Sequence, residues 1–520
     1  MTSAAPRIVV VTGAATGIGL ATARIFAASG DIVVLTDLSG EAVEALAAEL
    51  GGPHVGMAMD VSDEAAVVAC MTAVVTRFGR IDVLVNNAGI VDPNAGKVLD
   101  KPIADVRRLI AVNLEGSFVA AREAGRFMLA QGSGSIVNLS SGAALSALPG
   151  RTPYSMTKAA ILGFTRALAS EWARSGVRVN AVLPGYVRTE ILASLERAGK
   201  IDTNTVGAAV PLGRMAEPEE IAAVILHVAG ANYLTGRAIL ADGGFAAFGA
   251  RLAASTAPVS GLVPAGVVLV AGGATGVGAS IADYFVALGM TVVAIDRDDQ
   301  AIAALPTDRV GISLDVTDED AVEAAVREIA AENGPIAILV NAGAQPDTLK
   351  PTVEQTLTDF RREVEVNLTG TLIVARAVAR SMITAGKGGA IVSLSSIAAT
   401  RGGSAMRPVH CAAETGLAML TKSLACEWAE HGIRVNSVAH ECIATPRVEA
   451  LERSGQGGFD PLHRRVRMGH LGKSIGVVEA VGFLASDAAS YVTGMSYTVD
   501  GGSGACADIG AVIEPEEVRD

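Results

Sequence analysis

The sequence predicts an α/β protein made of two tandem domains, each with a doubly wound parallel β-sheet between two layers of helices. Three observations favour this fold. The chain has 520 residues, enough for two domains at roughly 100–200 residues each. Its motifs occur twice in the same order, and within each copy short β-branched runs alternate with longer Ala-rich segments.

The chain is a tandem duplication. VVVTGAATGIG at 9–19 returns as VLVAGGATGVG at 268–278, and SEWARSGVRVN at 170–180 returns as CEWAEHGIRVN at 426–436. Four more pairs keep the same order: LVNNAG with LVNAG, VNLEG with VNLTG, IVNLSS with IVSLSS, and LTGRAILADGG with VTGMSYTVDGG. So many ordered matches indicate two copies of one domain.

The repeat predicts the domain boundaries. We expect one domain at 1–245 and a second at 265–505, joined by a linker at 246–264 and followed by a tail at 506–520. The linker is rich in Ala, Ser and Pro, which is typical of connections between domains.

Strands and helices alternate within the first domain. The runs RIVVVTG at 7–13 and DIVVLTD at 31–37 are β-branched, whereas 20–28 and 41–50 have the composition and length of helices. Alternation of about five apolar residues with a longer helix indicates βαβ units on a parallel sheet that is covered on both faces. Each half is therefore expected to be a Rossmann-type, three-layer αβα domain.

Composition excludes several classes of function. The net charge of −13 disfavours a nucleic-acid partner, which ordinarily needs a basic surface. The mean hydropathy is +0.42, but the apolar runs end far short of the ~18–20 residues that span a bilayer. The first apolar run, 8–11, leads into a Gly-rich turn and not into a signal-peptide cleavage site. We expect a soluble, cytoplasmic protein without a membrane partner.

The cysteines fit the same compartment. They are odd in number, unevenly spaced and without a CxxC pair: Cys70, Cys411, Cys426, Cys442 and Cys506. This distribution indicates a reducing environment and buried free thiols.

A Gly-rich loop follows the first strand and precedes the first helix. Its predicted cofactor contacts are Thr12, Gly13, Gly17, Ile18 and Gly19. Glycines let the backbone turn tightly and approach a pyrophosphate, which the free N–H groups of the helix N-terminus then bind. Taken alone the pattern could be a simple tight turn, but its strand–loop–helix context favours a dinucleotide site.

Asp37 ends the second strand, 18 residues after Gly19. At that place a carboxylate accepts hydrogen bonds from the adenosine ribose hydroxyls and repels a 2′-phosphate. The expected cofactor is therefore NAD, not NADP.

Two more polar residues follow predicted strands. Asp60 and Asn87 are expected along the adenine and ribose side of the cofactor, although each could equally cap a turn or a strand end. Their neighbours Val61, Ala88 and Gly89 are assigned to the same site.

These motifs together resemble the short-chain dehydrogenase/reductase family of the classical type. The resemblance covers nearly all of the first half and rests on TGxxxGxG at 12–19, NNAG at 86–89, Asn113, Ser141, Tyr154, Lys158 and Pro184-Gly185. It implies a Rossmann fold, hydride transfer between NAD(P) and an alcohol or carbonyl, and assembly into dimers or tetramers.

Tyr154 and Lys158 are four residues apart, so on a helix they share one face. A tyrosine has an ordinary pKa of ~10, but a nearby ammonium and an oxidised nicotinamide both favour its phenolate. We predict Tyr154 as general acid and base, with Lys158 tuning it and holding the nicotinamide ribose. By itself such a pair is more often a packed tyrosine beside a solvated lysine.

The resemblance assigns the remaining roles. Ser141 would hydrogen-bond the substrate oxygen and stabilise developing charge, and Asn113 would anchor a water chain beyond the lysine. Pro184, Gly185 and Thr189 resemble the segment that closes over the nicotinamide carboxamide. Small and apolar residues follow Ser141, which predicts an apolar pocket without identifying its substrate.

The second half lacks the catalytic pair. Aligned on the Glu-Trp pair at 171–172 and 427–428, His410 and Glu414 stand opposite the tyrosine and lysine. Aligned on the preceding serine, Val409 and Ala413 stand there instead. Under either alignment the second half is expected not to run the family's reaction.

The second half nevertheless retains most of the other motif positions. Cofactor contacts are assigned to Gly272, Gly276, Gly278, Asp296, Asp315 and Asn341, and the counterparts of Ser141 and Asn113 are Ser396 and Asn367. His440-Glu441 replaces Pro184-Gly185. This half is expected to bind NAD or to serve as a scaffold.

Five of the seven histidines lie in its C-terminal part, at 410, 431, 440, 463 and 470. His410 could act as a base oriented by Glu414, one turn further on. The same pair could ligate a metal, but no third ligand stands at a suitable spacing.

The leading hypothesis is an NAD-dependent oxidoreductase acting on a small-molecule secondary alcohol or ketone, including the 3-hydroxyacyl/3-oxoacyl type, from the first half. One alternative is a bifunctional enzyme with His410-based chemistry in the second half, and another is an NAD-sensing or scaffolding protein. Since the family pairs through the Tyr-Lys helix, the fused chain is expected to supply both sides of that interface. It would then form a homodimer with four domains.

Overall fold

The structure is a computed structural model of the 520-residue chain. It describes residues 5–92, 96–148, 150–197, 202–210, 212–232, 234–243, 245, 266–345, 348, 350–401, 407–441, 443–444, 448, 466, 470–486, 489, 492–501 and 503. The predicted linker 246–264 and tail 506–520 lie outside the described residues, as do His463, Cys442 and Cys506. The predicted domain boundaries therefore remain a prediction.

The first half contains a seven-stranded parallel sheet in the order β3-β2-β1-β4-β5-β6-β7. The strands are β1 (Ile8–Thr12), β2 (Ile32–Asp37), β3 (Val55–Ala58), β4 (Val83–Asn86), β5 (Gly134–Leu139), β6 (Val177–Pro184) and β7 (Ala238–Ala241). Every residue of β1 is buried, as expected of a central strand covered on both faces.

The second half repeats this sheet in the order β10-β9-β8-β11-β12-β13-β14. Its strands are β8 (Val267–Ala271), β9 (Val292–Asp296), β10 (Val310–Ser313), β11 (Ile336–Asn341), β12 (Gly389–Ser396), β13 (Ile433–His440) and β14 (Ser496–Val499). The predicted fold class, two doubly wound parallel sheets in tandem, is confirmed.

Helices connect the strands of both sheets. In the first half they are α1 (Gly17–Ala28), α2 (Gly40–Leu50), α3 (Glu64–Phe78), α4 (Ile103–Ile110), α5 (Gly116–Gln131), α6 (Thr152–Trp172), α7 (Glu190–Arg197), α8 (Thr203–Ala209) and α9 (Pro218–Gly230). In the second half they are α10 (Gly276–Ala287), α11 (Asp299–Ala303), α12 (Glu319–Asn333), α13 (Leu357–Val364), α14 (Thr371–Ala385), α15 (Ala398–Arg401), α16 (Pro408–Trp428) and α17 (Ser474–Ala485).

Local sequence signals explain several helix ends. Asp63 caps α3 by accepting from the backbone N–H groups of Ala65 and Ala66, and Gly79 ends that helix at a φ of +78°. A turn of π-helix joins α4 to α5 at Ala111–Glu115, and another joins α13 to α14 at Glu365–Gly370. Such π-turns are rare and often lie at functional sites.

The chain divides into two compact units. Unit 1 holds Met1–Pro258, Gln345–Leu372 and Ala398–Glu427, and unit 2 holds Val259–Ala344, Ile373–Ile397 and Trp428–Asp520. Unit 1 therefore contains the first sheet with α13 and nearly all of α16, whereas unit 2 contains the second sheet.

The helical stretch Leu357–Ala385 is long and apolar enough to cross a membrane by length and composition alone. However, 72% of its most apolar 18-residue segment is buried inside the protein, as in the core helix of a globular domain.

Candidate active site

A cleft of about 490 Å³ lies in unit 1 and brings most of the predicted site residues together. It is lined by Gly13, Gly17, Ile18, Asp37, Asp60, Val61, Asn87, Ala88, Gly89, Ser141, Tyr154, Lys158, Pro184, Gly185 and Thr189. These residues follow the carboxyl ends of the strands, where open α/β sheets bind ligands. Thr12, Gly19 and Asn113 do not line the cleft but support it from behind.

The Gly-rich loop needs glycine for steric reasons. Gly13 has a φ of +65°, and a Cβ there would lie 2.9 Å from Cα of Ala88. A Cβ at Gly19 would lie only 2.0 Å from the carbonyl oxygen of Gly13. The loop thus leaves a backbone cradle at the N-terminus of α1, which fits a dinucleotide pyrophosphate.

Thr12 and Asn87 brace this loop. The Thr12 hydroxyl accepts from the backbone N–H groups of Asn87 and Ala88, at 3.0 and 2.9 Å. The Asn87 amide donates to the carbonyl oxygens of Thr12 and Gly13, both at 2.9 Å. Asn87 therefore fixes the shape of the loop. This role resembles the strand-end cap that the sequence offered as the alternative to a cofactor contact.

Asp37 and Asp60 each accept local hydrogen bonds at the other end of the cleft. The Asp37 carboxylate accepts from the backbone of Ala15 at 3.0 Å and of Leu38 at 2.8 Å, one bond to each oxygen. One Asp60 oxygen accepts from both the backbone and the hydroxyl of Ser62. Both side chains are thereby oriented and keep acceptor capacity toward the cleft.

Tyr154 lies in the first turn of α6, half-buried at the wall of the cleft. Burial raises the pKa of its phenol, while a hydrogen bond from Ser141 and the positive charge of Arg151 lower it. The Lys158 ammonium lies 5.9 Å from the centre of the Tyr154 ring. Arg151 is therefore a cation that lowers the Tyr154 pKa and that the sequence alone did not single out.

Lys158 is almost completely buried beneath the tyrosine. Its ammonium donates to the carbonyl oxygen of Leu139 at 3.0 Å, and its backbone carbonyl accepts from the Ser140 hydroxyl at 2.6 Å. Burial lowers its pKa to about 8. The end of β5 therefore fixes both ends of this lysine, a connection that the helical spacing alone could not show.

Asn113 stands in the first π-turn and is fully buried. Its amide oxygen accepts from the backbone of Ile90 at 2.8 Å, and its amide nitrogen donates to the carbonyl of Ile90 at 3.0 Å. A Cβ at Gly89 would lie 3.2 Å from this amide oxygen and 3.3 Å from the Lys158 nitrogen. Asn113 thus fixes the loop after β4 beside the lysine.

Gly185 marks the other wall of the cleft. Its N–H donates to the carbonyl of Ala241 at 3.0 Å, and a Cβ there would lie 2.7 Å from Cα of Asp242. Thr189 approaches Gly17 across the cleft, where its methyl would be 3.4 Å from a Cβ. The cleft is further lined by Ile90, Val91, Arg108, Val112, Leu139, Ser140, Val187, Glu190 and Leu192.

The second half aligns with the first at an offset of 256 in the Tyr-Lys helix. Helices α6 and α16 both have 21 residues and both end at a Trp of a Glu-Trp pair, so His410 and Glu414 stand at the positions of Tyr154 and Lys158. Strand β12 aligns with β5 at an offset of 255, because Leu139 pairs with Val182 and Leu394 with Val438. The inserted residue lies between β12 and α16.

Unit 2 repeats the geometry of the Gly-rich loop. Gly272 and Gly276 have φ values of +71° and +58°, and a Cβ at Gly278 would lie 2.0 Å from the carbonyl oxygen of Gly272. Asp315 accepts from the backbone and hydroxyl of Thr317, as Asp60 does from Ser62. Asp296 ends β9 and accepts from the backbone of Asp298 at 3.2 Å.

Asn341 has a different place from the one expected. It is the last residue of β11, is 5% exposed and donates to the Ser393 hydroxyl at 3.3 Å. It therefore corresponds to Asn86, which bonds Asn138 inside the first sheet, and Ala342 takes the place of Asn87. The assignment of Asn341 as a cofactor contact is not supported, because its side chain belongs to the interior of the sheet.

His410 lies between two buried carboxylates of unit 1. Its Nδ1 is 3.6 Å from a Glu363 oxygen and 3.9 Å from a Glu414 oxygen. Its Nε2 is buried and has no hydrogen-bond partner within the described part of the chain. The described residues include no group of three or more His, Cys, Asp or Glu side chains that could hold a metal.

Two other predictions concern the second half and the cysteines. Glu441 replaces Gly185 and accepts from the Ser503 hydroxyl at 2.9 Å. Cys70 and Cys411 are buried free thiols, as expected, and burial raises the pKa of Cys70 to about 11. Cys426 is exposed, so the expectation of a buried thiol is wrong there.

Comparison with known proteins gives matches to both halves. The family model described as "Enoyl-(Acyl carrier protein) reductase" matches residues 13–246 and again 272–504. An uncharacterized short-chain type dehydrogenase/reductase, y4vI of Sinorhizobium fredii, is 38% identical over 514 residues, covering 95% of this chain and 92% of that protein.

Shorter relatives match one half. The 3-oxoacyl-[acyl-carrier-protein] reductase FabG of Thermotoga maritima is 38% identical over 246 residues, which is 46% of this chain and 97% of that protein. A solved structure described as ElxO with NADP bound is 30% identical, covers 46% of this chain and 99% of its own, and has a TM-score of 0.45.

Proposed function

Because the chain belongs to the short-chain dehydrogenase/reductase family of oxidoreductases, we propose that its first half is an NAD-dependent enzyme that interconverts a secondary alcohol and a ketone. The observation that carries the proposal is the geometry of one cleft, in which Ser141, Tyr154 and Lys158 stand together beside a glycine cradle.

The residues of this cleft fit a nicotinamide dinucleotide. The cradle of Gly13, Gly17 and Gly19 would hold the pyrophosphate, and Pro184, Gly185 and Thr189 would hold the nicotinamide end. When bound, this group supplies the hydride acceptor for the alcohol, or the hydride donor for the ketone. Asn87 fixes the cradle by donating to its backbone carbonyls, and the Thr12 hydroxyl holds the adjoining loop by accepting from Ala88.

Asp37 supports the choice of NAD over NADP. Its carboxylate is oriented by two backbone N–H groups at the end of β2. A ribose 2′-hydroxyl can donate to it, whereas a 2′-phosphate would bring two negative charges together.

Tyr154 is the group that moves the proton. In oxidation the phenolate takes the proton from the substrate hydroxyl, and in reduction the phenol returns it to the developing alkoxide. Ser141 donates to the same oxygen and stabilises charge there. The hydrogen bond from Ser141 lowers the pKa of Tyr154, so the serine also favours the phenolate.

Lys158 and Asn113 are the residues of this chain that would continue the proton path beyond Tyr154. With a pKa of about 8 the buried ammonium can lose and regain a proton near neutral pH. Asn113 fixes the loop after β4 next to this ammonium, since its amide bonds both backbone groups of Ile90.

The substrate side of the cleft supports a small organic alcohol or ketone, with the 3-hydroxyacyl/3-oxoacyl type included. The apolar residues Val187 and Leu192 line the cleft together with Ser141, and Ala143 and Ala144, which follow Ser141 in the chain, are buried. A screen of secondary alcohols and 3-hydroxyacyl thioesters with NAD, followed by absorbance of the reduced cofactor, will identify the class.

The second half is proposed to be a non-catalytic partner. His410 and Glu414 stand where a phenol and an ammonium are needed, whereas the glycine loop persists. Two of its segments, Gln345–Leu372 and Ala398–Glu427, belong to the same compact unit as the active site, which supports a scaffold role. We further propose that two fused chains pair to form a four-domain homodimer.

Tyr154→Phe tests the proposed function. The variant loses the proton-transfer group but keeps the ring, so turnover should fall by about 10²–10⁴-fold while NAD still binds. The matched control is His410→Phe in the second half, which should leave turnover unchanged. Full activity of Tyr154→Phe together with loss in His410→Phe would instead favour the bifunctional alternative.

A further inference from the structure

Glu427, on the last turn of α16, reaches the beginning of the catalytic helix. Its carboxylate accepts from the backbone N–H of Val98 at 2.9 Å and from the hydroxyl of Thr152. Thr152 is the first residue of α6 and stands two positions before Tyr154. Both partners are fully buried, at 1% and 0% exposed, so water does not replace these bonds readily.

Helix α6 lacks a side-chain cap of its own. Its N-cap residue is Arg151, whose side chain makes no capping hydrogen bond in the described structure. Arg151 instead donates to the carbonyl oxygen of Asp92, and the Asp92 carboxylate pairs with Lys101. A carboxylate near a helix N-terminus is favourable because of the partial positive charge there. Glu427 therefore supplies, from a distant segment, the anion that the local sequence does not.

The same carboxylate joins two segments that flank the active site. Val98 begins the short helical turn Val98–Asp100, which leads directly to Lys101. Through Lys101 and Asp92 this turn connects to Arg151, whose charge lowers the pKa of Tyr154. A shift of Glu427 would thus affect the first turn of α6 by two routes: directly through Thr152, and indirectly through the turn at Val98 and the contacts that connect it to Arg151.

Glu171 is the counterpart of Glu427 in the first half, and it bonds differently. Its carboxylate accepts from the backbone and hydroxyl of Thr352, at 2.8 and 2.6 Å. The first residue of α16 is Pro408, which has neither a hydroxyl nor a backbone N–H to donate to Glu171. The bond to a helix N-terminus is therefore found on the side that keeps the catalytic tyrosine.

The body of α6 is held independently of Glu427. A Cβ at Gly163 would lie 2.0 Å from the carbonyl of Cys411, so α6 and α16 are in close contact at that point. Arg166 donates to the carbonyl of Ala399 and to the Thr415 hydroxyl. Loss of Glu427 should accordingly loosen the first turn of α6 without releasing the helix.

We propose that Glu427 is a positioning residue for the reaction of the first half: it holds Thr152 and thereby sets the position of Tyr154 relative to Ser141. The proposal rests on the proposed function, because it assigns the site a support contributed by the second half. It also gives a physical reason for retaining a second half that lacks the catalytic pair.

The test compares Glu427→Ala with Glu171→Ala in the full chain. Both variants remove one half-buried carboxylate that bonds the other half of the chain, but only Glu427→Ala removes a bond to the first residue of the catalytic helix. Glu171 lies at the opposite end of that helix and bonds Thr352. We expect Glu427→Ala to lower kcat by about 10- to 100-fold with an unchanged KM for NAD, and to shift the pH profile of kcat. Glu171→Ala should change kcat less than twofold while lowering the melting temperature similarly.

Thr152→Val is a smaller change that keeps the test valid if Glu427→Ala fails to fold. Thr152→Val removes only the hydroxyl partner, so it should reproduce the loss in kcat, and Thr152→Val combined with Glu427→Ala should lose little more than either alone. Glu427→Gln keeps an acceptor oxygen and should recover part of the activity.

Equal loss of kcat in Glu427→Ala and Glu171→Ala would overturn the proposal, as would wild-type activity of Thr152→Val. Either result leaves the proposed function standing if Tyr154→Phe is inactive. An active Tyr154→Phe would refute the proposed function instead.

Discussion

Helices α6 and α16 are copies that differ at the catalytic positions, where Tyr154 and Lys158 are replaced by His410 and Glu414, and agree in the features that support the fold. Both have 21 residues and end at a buried tryptophan, Trp172 or Trp428. Each half also has a π-turn earlier in the chain whose asparagine, Asn113 or Asn367, accepts from the backbone of the preceding loop, at 2.8 and 2.7 Å. Since this bond persists without a catalytic tyrosine, the asparagine has a structural role in addition to any part in proton transfer.

The two halves bury different ionisable residues at these positions. In the first half Lys158 is buried, and Leu109 is a buried apolar residue of α4. In the second half Glu363 takes the position of Leu109, and Glu363 and Glu414 both approach His410. The second site is thus not simply the first with two residues lost, because a third buried position changed from apolar to acidic.

Lys158→Met should produce the largest change in the pH dependence of stability. Burial lowers the Lys158 pKa from 10.5 to about 8, so above pH 8 the folded chain loses a proton that the unfolded chain keeps. Folding is therefore favoured as the pH rises from 8 to 10.5, by roughly 3 kcal/mol at 1.36 kcal/mol per pKa unit. When the pH is raised from 8 to 10.5, the unfolding free energy measured in urea should therefore increase by this amount more in the wild type than in Lys158→Met.

Glu414→Met is the matched control for that measurement. A carboxylate has an ordinary pKa near 4, so this variant should keep the wild-type slope between pH 8 and 10.5. An identical slope in wild type and Lys158→Met would contradict the assignment of the buried ammonium.

Asp37→Ala should have the next largest effect, on cofactor preference. Removing the carboxylate takes away a ribose acceptor and the repulsion of a 2′-phosphate, so the ratio of kcat/KM for NAD over NADP should fall at least about 10-fold. Asp296→Ala makes the same change at the end of β9 and should leave this ratio unchanged. A wild type that prefers NADP would refute the choice of NAD.

Arg151→Gln should have the smallest effect, a shift of the pH profile. Burial raises the Tyr154 pKa and the Arg151 charge opposes it, so loss of that charge should move the acidic limb of alcohol oxidation to higher pH. The expected shift is below about 1 pH unit, because Arg151 is partly exposed to water. Arg407→Gln, at the same place before α16, should leave the profile unchanged; an equal shift there would argue against a direct effect on Tyr154.

Local patterns were sufficient to predict the cradle and the catalytic set. Gly13 and Gly19 could be recognised because a strand, a tight turn and a helix follow one another within a few residues. Tyr154 and Lys158 could be recognised because a separation of four residues places them on one helix face. Asn341 was misassigned, since one missing residue in a short motif moves an asparagine from the loop into the strand.

The sequence by itself determined the duplicated parallel fold, the glycine cradle and the half that carries the catalytic residues, because these depend on spacing along the chain. Only the tertiary structure decided which groups hold the catalytic residues in position and shift the pKa of Tyr154. Arg151, the Leu139 carbonyl and Glu427 act across the fold, and Glu427 bonds Thr152 from 275 residues away. Such contacts depend on how distant segments pack, and no local periodicity records them.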